Sequence, residues 1–308
     1  MESQANEVEL RALFGGRLRQ NEPLARHTSF RIGGPADYWV EVESPDEIRC
    51  VQEWARDQGI PLYILGGGTN VLVSDLGVRG CVVRLGRSFA FLEWKPNGGC
   101  THVRAGAALP LKKLVREAVD RNLTGLEFAE GIPGTVGGGL LMNAGAFGGE
   151  LADVLVAVEV VSPAGAFERL PREQLRFGYR YFDLPCGTVV TSAEFVLLPG
   201  SPSAIRARCE EAKAKRERHQ PRGFPNAGSI FKNPPGQFAG RLLEAAGLKG
   251  YRVGGAMFST QHANFIVNLG GARAADVRAL MLEAQRRVRE QFGVELEPEV
   301  RLVGEWRE

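Results

Sequence analysis

The chain has 308 residues, 44% of them hydrophobic and 24% charged, a balance that suits a folded globular protein and excludes a disordered or fibrous one. A formal net charge of +2 is too small to forecast a nucleic-acid partner, and no apolar run reaches the ~18–20 residues of a membrane helix. Five scattered cysteines without a Cys-x-x-Cys pair, and four histidines without ligand spacing, read as reduced thiols and no metal site.

In chain order, Met1 to Glu9 is polar and acidic and lacks the basic-then-apolar order of a signal peptide, so a cytoplasmic protein is expected. Tyr38 to Val42 reads as a strand. Ser44-Pro45-Asp46-Glu47 then supplies an N-cap, a proline at the first helical position and a capping-box glutamate. Leu62 to Leu65 is a short buried strand running into Gly66-Gly67-Gly68-Thr69-Asn70, and strand resumes at Val71–Val73 and Cys81–Val83. A second lobe begins near Phe89, with an amphipathic helix over Pro110 to Asn122 and strands at Val154–Val161, Ala166–Leu170 and Thr188–Leu198. Between them, Gly131 to Gly139 is too rich in glycine for a regular element. A polar helix over Pro202 to Arg218 leads to a third region, with a short helix near Arg241–Ala246 and a strand at Asn264–Val267. Its long helix spans Ala274 to Phe292, where Val277, Leu280, Met281, Ala284, Val288 and Phe292 form a core-facing stripe.

Glycine is in excess, 39 residues, which is close to twice the ~7% average usage. Two loops concentrate it. Gly66-Gly67-Gly68-Thr69-Asn70 and Gly131-Ile132-Pro133-Gly134-Thr135-Val136-Gly137-Gly138 expose backbone N–H groups that suit pyrophosphate oxygens, and Asn143-Ala144-Gly145 extends the second loop. Tight turns explain the same glycines equally well. Neither loop is a P-loop, and neither is a Gly-x-Gly-x-x-Gly turn opening a helix.

Ser229 lies in Asn226-Ala227-Gly228-Ser229-Ile230-Phe231-Lys232-Asn233-Pro234. The nucleophile-elbow pattern Gly-x-Ser-x-Gly is absent. On local grounds Ser229 is a helix N-cap.

The company of that segment changes its meaning. The two glycine loops resemble those of the p-cresol methylhydroxylase-type flavoproteins. The Ser229 segment, together with His27 to Gly34, Phe177-Gly178-Tyr179-Arg180, His262 to Asn268 and Leu296-Glu297-Pro298-Glu299-Val300-Arg301, is similar in order and content to the UDP-N-acetylenolpyruvoylglucosamine reductases (the MurB family). The resemblance implies an α+β protein. A two-lobed FAD-binding domain would span 33–200, with lobes about 33–86 and 87–200, preceded by an N-terminal segment (1–32) packing on it. A linking helix (201–219) and a substrate-binding domain (220–308) would complete the chain. Tyr181 to Pro185 runs quickly into the strand at Thr188, leaving no room for the tyrosine-bearing loop of the family's longer class, so the shorter class is implied.

The same resemblance implies an NADPH-dependent reductase that converts UDP-N-acetylglucosamine enolpyruvate to UDP-N-acetylmuramate through non-covalent FAD. A related FAD-dependent oxidase is the alternative. Arg180 would stabilise the enolate, Ser229 would protonate carbon, and Glu299 would be the catalytic carboxylate, with Glu297 its rival on the same strand face. Gly66, Gly67, Gly68, Thr69, Asn70, Gly131, Ile132, Pro133, Gly134, Thr135, Gly137, Gly138, Asn143 and Gly145 would hold the flavin. Tyr179, Lys232 and Asn233 would contact the UDP-sugar. No nucleic acid, membrane or obligatory protein partner is expected.

Overall fold

The computed structural model describes residues 10–306; the polar start Met1 to Glu9 and the last two residues lie outside the described part. The chain divides into two compact units whose segments interleave. One draws on the chain up to Gln20, on Tyr38–Gly67 and on Gly80–Lys215; the other draws on Asn21–Asp37, on Gly68–Arg79 and on the chain from Arg216.

In the first unit, Ser44 caps the Pro45–Asp57 helix, its side chain accepting the Glu47 N–H at 3.2 Å, as the local sequence predicts. Ile48 and Val51 bury one face of that helix against Val40, Val42 and Val83. The strands beneath run in the order Leu18–Pro23, Pro35–Val42, Val78–Leu85, Leu62–Ile64, the last two parallel with Tyr63 opposite Val82. A second, antiparallel sheet has the order Phe167–Pro171, Leu155–Val161, Val189–Pro199, Cys100–Gly106, Leu92–Asn97. Its inner face packs on Leu111, Leu114, Val115 and Ala118 of the Leu111–Asp120 helix. Its outer face carries paired charges instead. Arg104 reaches Glu159 at 2.6 Å and Glu93 at 3.3 Å, and Arg169 reaches Glu194 at 2.7 Å.

The Gly131–Gly139 stretch departs from expectation, because a helix spanning Val136–Leu141 begins inside it. Thr135 caps that helix by accepting the Gly138 N–H at 3.3 Å, and Val136 and Leu140 are fully buried. Burial and a cap outweigh the poor helix propensity of three consecutive glycines.

In the second unit, the strands Arg252–Val253, Ala256–Phe258 and Ile266–Asn268 form an antiparallel meander. The Ala274–Phe292 helix covers it with Val277, Leu280, Met281, Ala284 and Val288, and Gly293 at φ 66° ends the helix in a left-handed turn. The start of the same helix is held by the carboxylate of Asp75, which accepts from Ala274 N–H (2.8 Å) and Ala275 N–H (2.9 Å). Phe30, Ile32 and Leu72 lie in this core with Phe258 and Leu280. The contact pattern therefore divides the chain differently from the contiguous scheme expected above: residues 21–37 and 68–79 group with the C-terminal region because their apolar side chains are buried there.

Candidate active site

Gly228 turns the chain into Ser229 with φ 75°, and the Asn226 side-chain oxygen accepts the Gly228 N–H at 3.1 Å. Ser229 forms an isolated antiparallel bridge with Phe265, and Phe231 forms another with Pro298. No helix starts at Ser229; the next one is Ala239–Ala245. The capping role read from local sequence is therefore incorrect. Two β-type neighbours occupy the backbone on either side, so a helical turn cannot begin there. Ser229 is half-buried, and its hydroxyl makes no hydrogen bond among the described residues.

Glu299 is brought beside this segment through the backbone. Its N–H donates to the Ile230 carbonyl at 2.8 Å, while its own carbonyl accepts from Asn70 Nδ2 at 3.1 Å. Arg301 N–H in turn donates to the Asn70 carbonyl at 3.0 Å. The regular strand begins only at Arg301, so Glu297 and Glu299 do not sit on one as expected. The surroundings separate the two carboxylates. Glu297 is exposed and pairs with Lys232 Nζ at 2.5 Å, whereas Glu299 is half-buried.

Arg180 belongs to the first unit, at the tip of a hairpin formed by Arg176–Gly178 and Tyr181–Asp183. Phe177 and Phe182 face one another across it with stacked rings 4.1 Å apart. Arg180 itself has φ 57°, a left-handed conformation that costs a side-chain-bearing residue roughly 1–2 kcal/mol. Strain of this kind persists only where neighbours fix the backbone. Here Arg180 Nη2 donates to the Gly145 carbonyl at 3.1 Å, and Asn143 Nδ2 donates to the Gly178 carbonyl at 3.2 Å.

Asn143 is fully buried, with φ 38°, and its Oδ1 accepts the Ala152 N–H at 3.2 Å. Its amide is engaged at both ends. The side chain ties the loop before Gly145 to the Arg180 hairpin. The clue available in sequence, an asparagine within a glycine loop, points to a tight turn as readily as to a ligand.

Within the first unit, Gly66 and Gly67 lie against the second glycine loop. A Cβ on Gly66 would lie 2.9 Å from Thr135 Oγ1, and one on Gly67 would lie 2.9 Å from Gly134 Cα. Both contacts are closer than real side chains allow, so the glycines permit the approach. The Gly66 and Gly67 backbones are exposed, and their N–H groups make no backbone hydrogen bond among the described residues. Other glycines serve packing. Gly137 N–H donates to the Ala107 carbonyl at 2.9 Å, and a Cβ there would meet Ala107 Cβ at 2.9 Å. Gly68, at φ 62°, leaves no room for a Cβ beside the His27 carbonyl. Gly131 and Gly134 both have positive φ, Ile132 packs against the core, and Pro133 is exposed. Thr69 is half-buried.

Of the residues expected on the sugar nucleotide, Tyr179 is exposed, with Arg180 lying 5.0 Å over its ring. Lys232 also donates its N–H to the Glu297 carbonyl at 2.9 Å. Asn233 is exposed, and its side-chain oxygen accepts the Ala239 N–H at 3.0 Å, closing the loop that precedes the short helix.

Residues 36–170 match the family model of an FAD binding domain, and residues 220–303 match that of the C-terminal domain of UDP-N-acetylenolpyruvoylglucosamine reductase. The fold and these matches define a flavin-binding oxidoreductase. UDP-N-acetylenolpyruvoylglucosamine reductase 2 of Symbiobacterium thermophilum is 50% identical over 94% of this chain and 93% of its own. A reductase of the same name from Agathobacter rectalis is 43% identical over 94% of this chain and 95% of its own. The crystal structure of the Thermus caldophilus reductase, at 42% identity, superposes with a TM-score of 0.81 over 93% of this chain and 99% of that one. The chain belongs to the UDP-N-acetylenolpyruvoylglucosamine reductase family.

Proposed function

We infer that this protein is an FAD-dependent reductase that uses NADPH to reduce the enolpyruvyl group of UDP-N-acetylglucosamine enolpyruvate, forming UDP-N-acetylmuramate for peptidoglycan precursor synthesis. The observation that carries this reading is kinship along nearly the whole chain, across both the flavin-binding and the C-terminal regions.

The glycine loops suit the flavin. The exposed N–H groups of Gly66 and Gly67 beside Gly134 and Thr135 are a donor set matched to pyrophosphate oxygens, in a cradle that a Cβ would fill. Gly68, Thr69, Asn70, Gly131, Ile132, Pro133, Gly137, Gly138 and Gly145 shape the loops around those donors. Bound there, FAD would supply hydride-transfer chemistry for the enolpyruvyl double bond.

The chain's own residues handle the charge and the proton. Hydride addition leaves electron density on the neighbouring carbon and its carboxylate, and a guanidinium offers permanent charge in a planar fork matched to that group. Arg180, held in its strained turn, fills this role without reorganising. The Ser229 hydroxyl then delivers the proton to carbon. A hydroxyl is a weak acid, so a carboxyl group must assist it. Glu299, linked through the Ile230 carbonyl to the Ser229 segment, is assigned that part. Lys232 and Tyr179 would bind the sugar nucleotide, with Asn233 shaping the loop behind Lys232.

The test is anaerobic NADPH oxidation by the yellow, flavin-loaded protein with and without the enolpyruvyl substrate. Multiple turnovers that depend on the substrate, with one saturated product per NADPH consumed, are expected. Reduced flavin that ignores this substrate and is reoxidised only when air is admitted would overturn the reading in favour of an oxidase.

A further inference from the structure

The Ser229 segment is held by a second residue that the chemistry above does not use. Asn264 is 3% exposed, and its side-chain amide grips both backbone groups of a single residue. Its Oδ1 accepts the Phe231 N–H at 2.9 Å, and its Nδ2 donates to the Phe231 carbonyl at 2.8 Å. The Asn264 main-chain carbonyl also accepts the Ile230 N–H at 2.9 Å. Three hydrogen bonds therefore run from one asparagine to the two residues that follow Ser229.

A side-chain amide presents a donor and an acceptor in one plane, as a neighbouring strand's backbone does. Asn264 thus substitutes for a strand partner just where the sheet is interrupted, since Ser229 and Phe231 take part only in isolated bridges. The peptide it fixes has its other side turned toward Glu299, whose N–H donates to the Ile230 carbonyl at 2.8 Å. Asn264, Ile230 and Glu299 form one chain of backbone contacts, with Ser229 at its edge. Asn264 is itself supported: its N–H donates to His262 Nδ1 at 3.1 Å.

We propose that Asn264 is a positioning residue for proton transfer, setting the Ser229 hydroxyl and the Glu299 segment in register through the Phe231 backbone. The proposal rests on the reading of Ser229 as proton donor. Misplacement by about 1 Å costs on the order of a hundredfold in a reaction that depends on orientation. The flavin's reduction by NADPH needs neither Ser229 nor its register.

The test compares Asn264→Ala, Asn264→Asp and Ser229→Ala with the parent protein, each flavin-loaded. NADPH reduction of the flavin and its reoxidation by the enolpyruvyl substrate are followed separately by stopped flow, and exchange of the Phe231 amide is read by hydrogen–deuterium exchange. Asn264→Ala is expected to speed Phe231 exchange and to slow substrate reduction by roughly ten- to a hundredfold, leaving flavin reduction within about twofold. Asn264→Asp keeps the acceptor for the Phe231 N–H but sets a buried carboxylate oxygen against the Phe231 carbonyl, so substrate reduction should slow at least as much as in the Ala variant; it carries the test alone if the Ala variant does not fold. Faster Phe231 exchange with unchanged substrate reduction, or equal loss in both half-reactions, overturns the proposal. If Ser229→Ala slows substrate reduction and the Asn264 variants do not, this inference alone fails. If Ser229→Ala is as fast as the parent, the role of Ser229 fails and the inference with it.

Discussion

The side-chain amide of Asn143 donates to the carbonyl of Gly178 at 3.2 Å, joining a glycine-rich loop to the hairpin that carries Arg180. Both ends of that amide are engaged and the residue is fully buried, so it acts as a rivet between two main-chain segments. The strained backbone of Arg180, at φ 57°, follows the carbonyl so held by only two residues.

Asn143→Ala would leave the buried Ala152 N–H without its partner and release the half-buried Gly178 carbonyl. An unsatisfied buried group costs about 1–3 kcal/mol, so a loss of about 1–3 kcal/mol is expected from urea denaturation. Released from one restraint, the Arg180 turn should relax, lowering substrate reduction at least tenfold at saturating substrate. Asn143→Ala with parental stability would show that the two bonds contribute nothing, and that outcome would remove this account of the turn.

Ser229→Ala removes only a hydroxyl, and that hydroxyl has no hydrogen-bond partner among the described residues. Stability should change by less than about 0.5 kcal/mol, as for substitutions away from named structural features. Flavin bleaching by NADPH should stay near the parental rate. Reoxidation by the enolpyruvyl substrate should fall by roughly 10²–10⁴-fold, the range of general acid contributions. Equal damage to both half-reactions would mean that Ser229 supports the fold and not the proton transfer.

Much of this was legible in the sequence because the signals are local. Ser44, Pro45 and Glu47 announce a helix start through hydrogen bonds made within four residues, and Val277 to Val288 announce a buried face through helical spacing. The site was legible only through ordered resemblance. Ser229, judged alone, fits a helix cap; its bridge to Phe265 and the Ile230 contact with Glu299 join positions tens of residues apart, which no local pattern encodes. The same limit hid Asn264 and the use of Asp75 as a helix cap 199 residues upstream. The burial of Asn143 and its bond to Gly178 were hidden as well, because an exposed and a buried asparagine in a glycine loop are written identically. The grouping of Phe30 and Ile32 with the C-terminal core was likewise invisible to a reading that follows chain order.

Gly67→Ala tests the loop approach directly. Its new Cβ would sit 2.9 Å from Gly134 Cα, so one of the two loops must move. Flavin affinity should fall about tenfold or more, read by release of free FAD on dilution or by fluorescence titration of the apoprotein. Gly16→Ala is the matched control: Gly16 has open space around its Cβ position and no positive φ. Its flavin affinity should equal that of the parent. If Gly67→Ala binds FAD as tightly as the control does, the close approach of the loops is irrelevant to the cofactor.

Burial is the main cause holding the His262 imidazole below its ordinary pKa of 6.5, helped by the neighbouring His219 and Lys249 and opposed by Glu244. The ring must also stay unprotonated at Nδ1 to accept the Asn264 N–H. In the unfolded chain His262 takes up its proton near pH 6.5, whereas the folded form resists it, so the unfolded state binds more protons below that point. Stability should therefore be complete above the ordinary value and decline as pH falls through it toward the lower folded value. His262→Gln, whose amide oxygen can accept the same N–H without titrating, should flatten this part of the profile. The measurement is the urea midpoint between about pH 8 and pH 5.5, a window that stays above the carboxylate range. An unchanged slope in the variant would show that the pH dependence belongs to other groups.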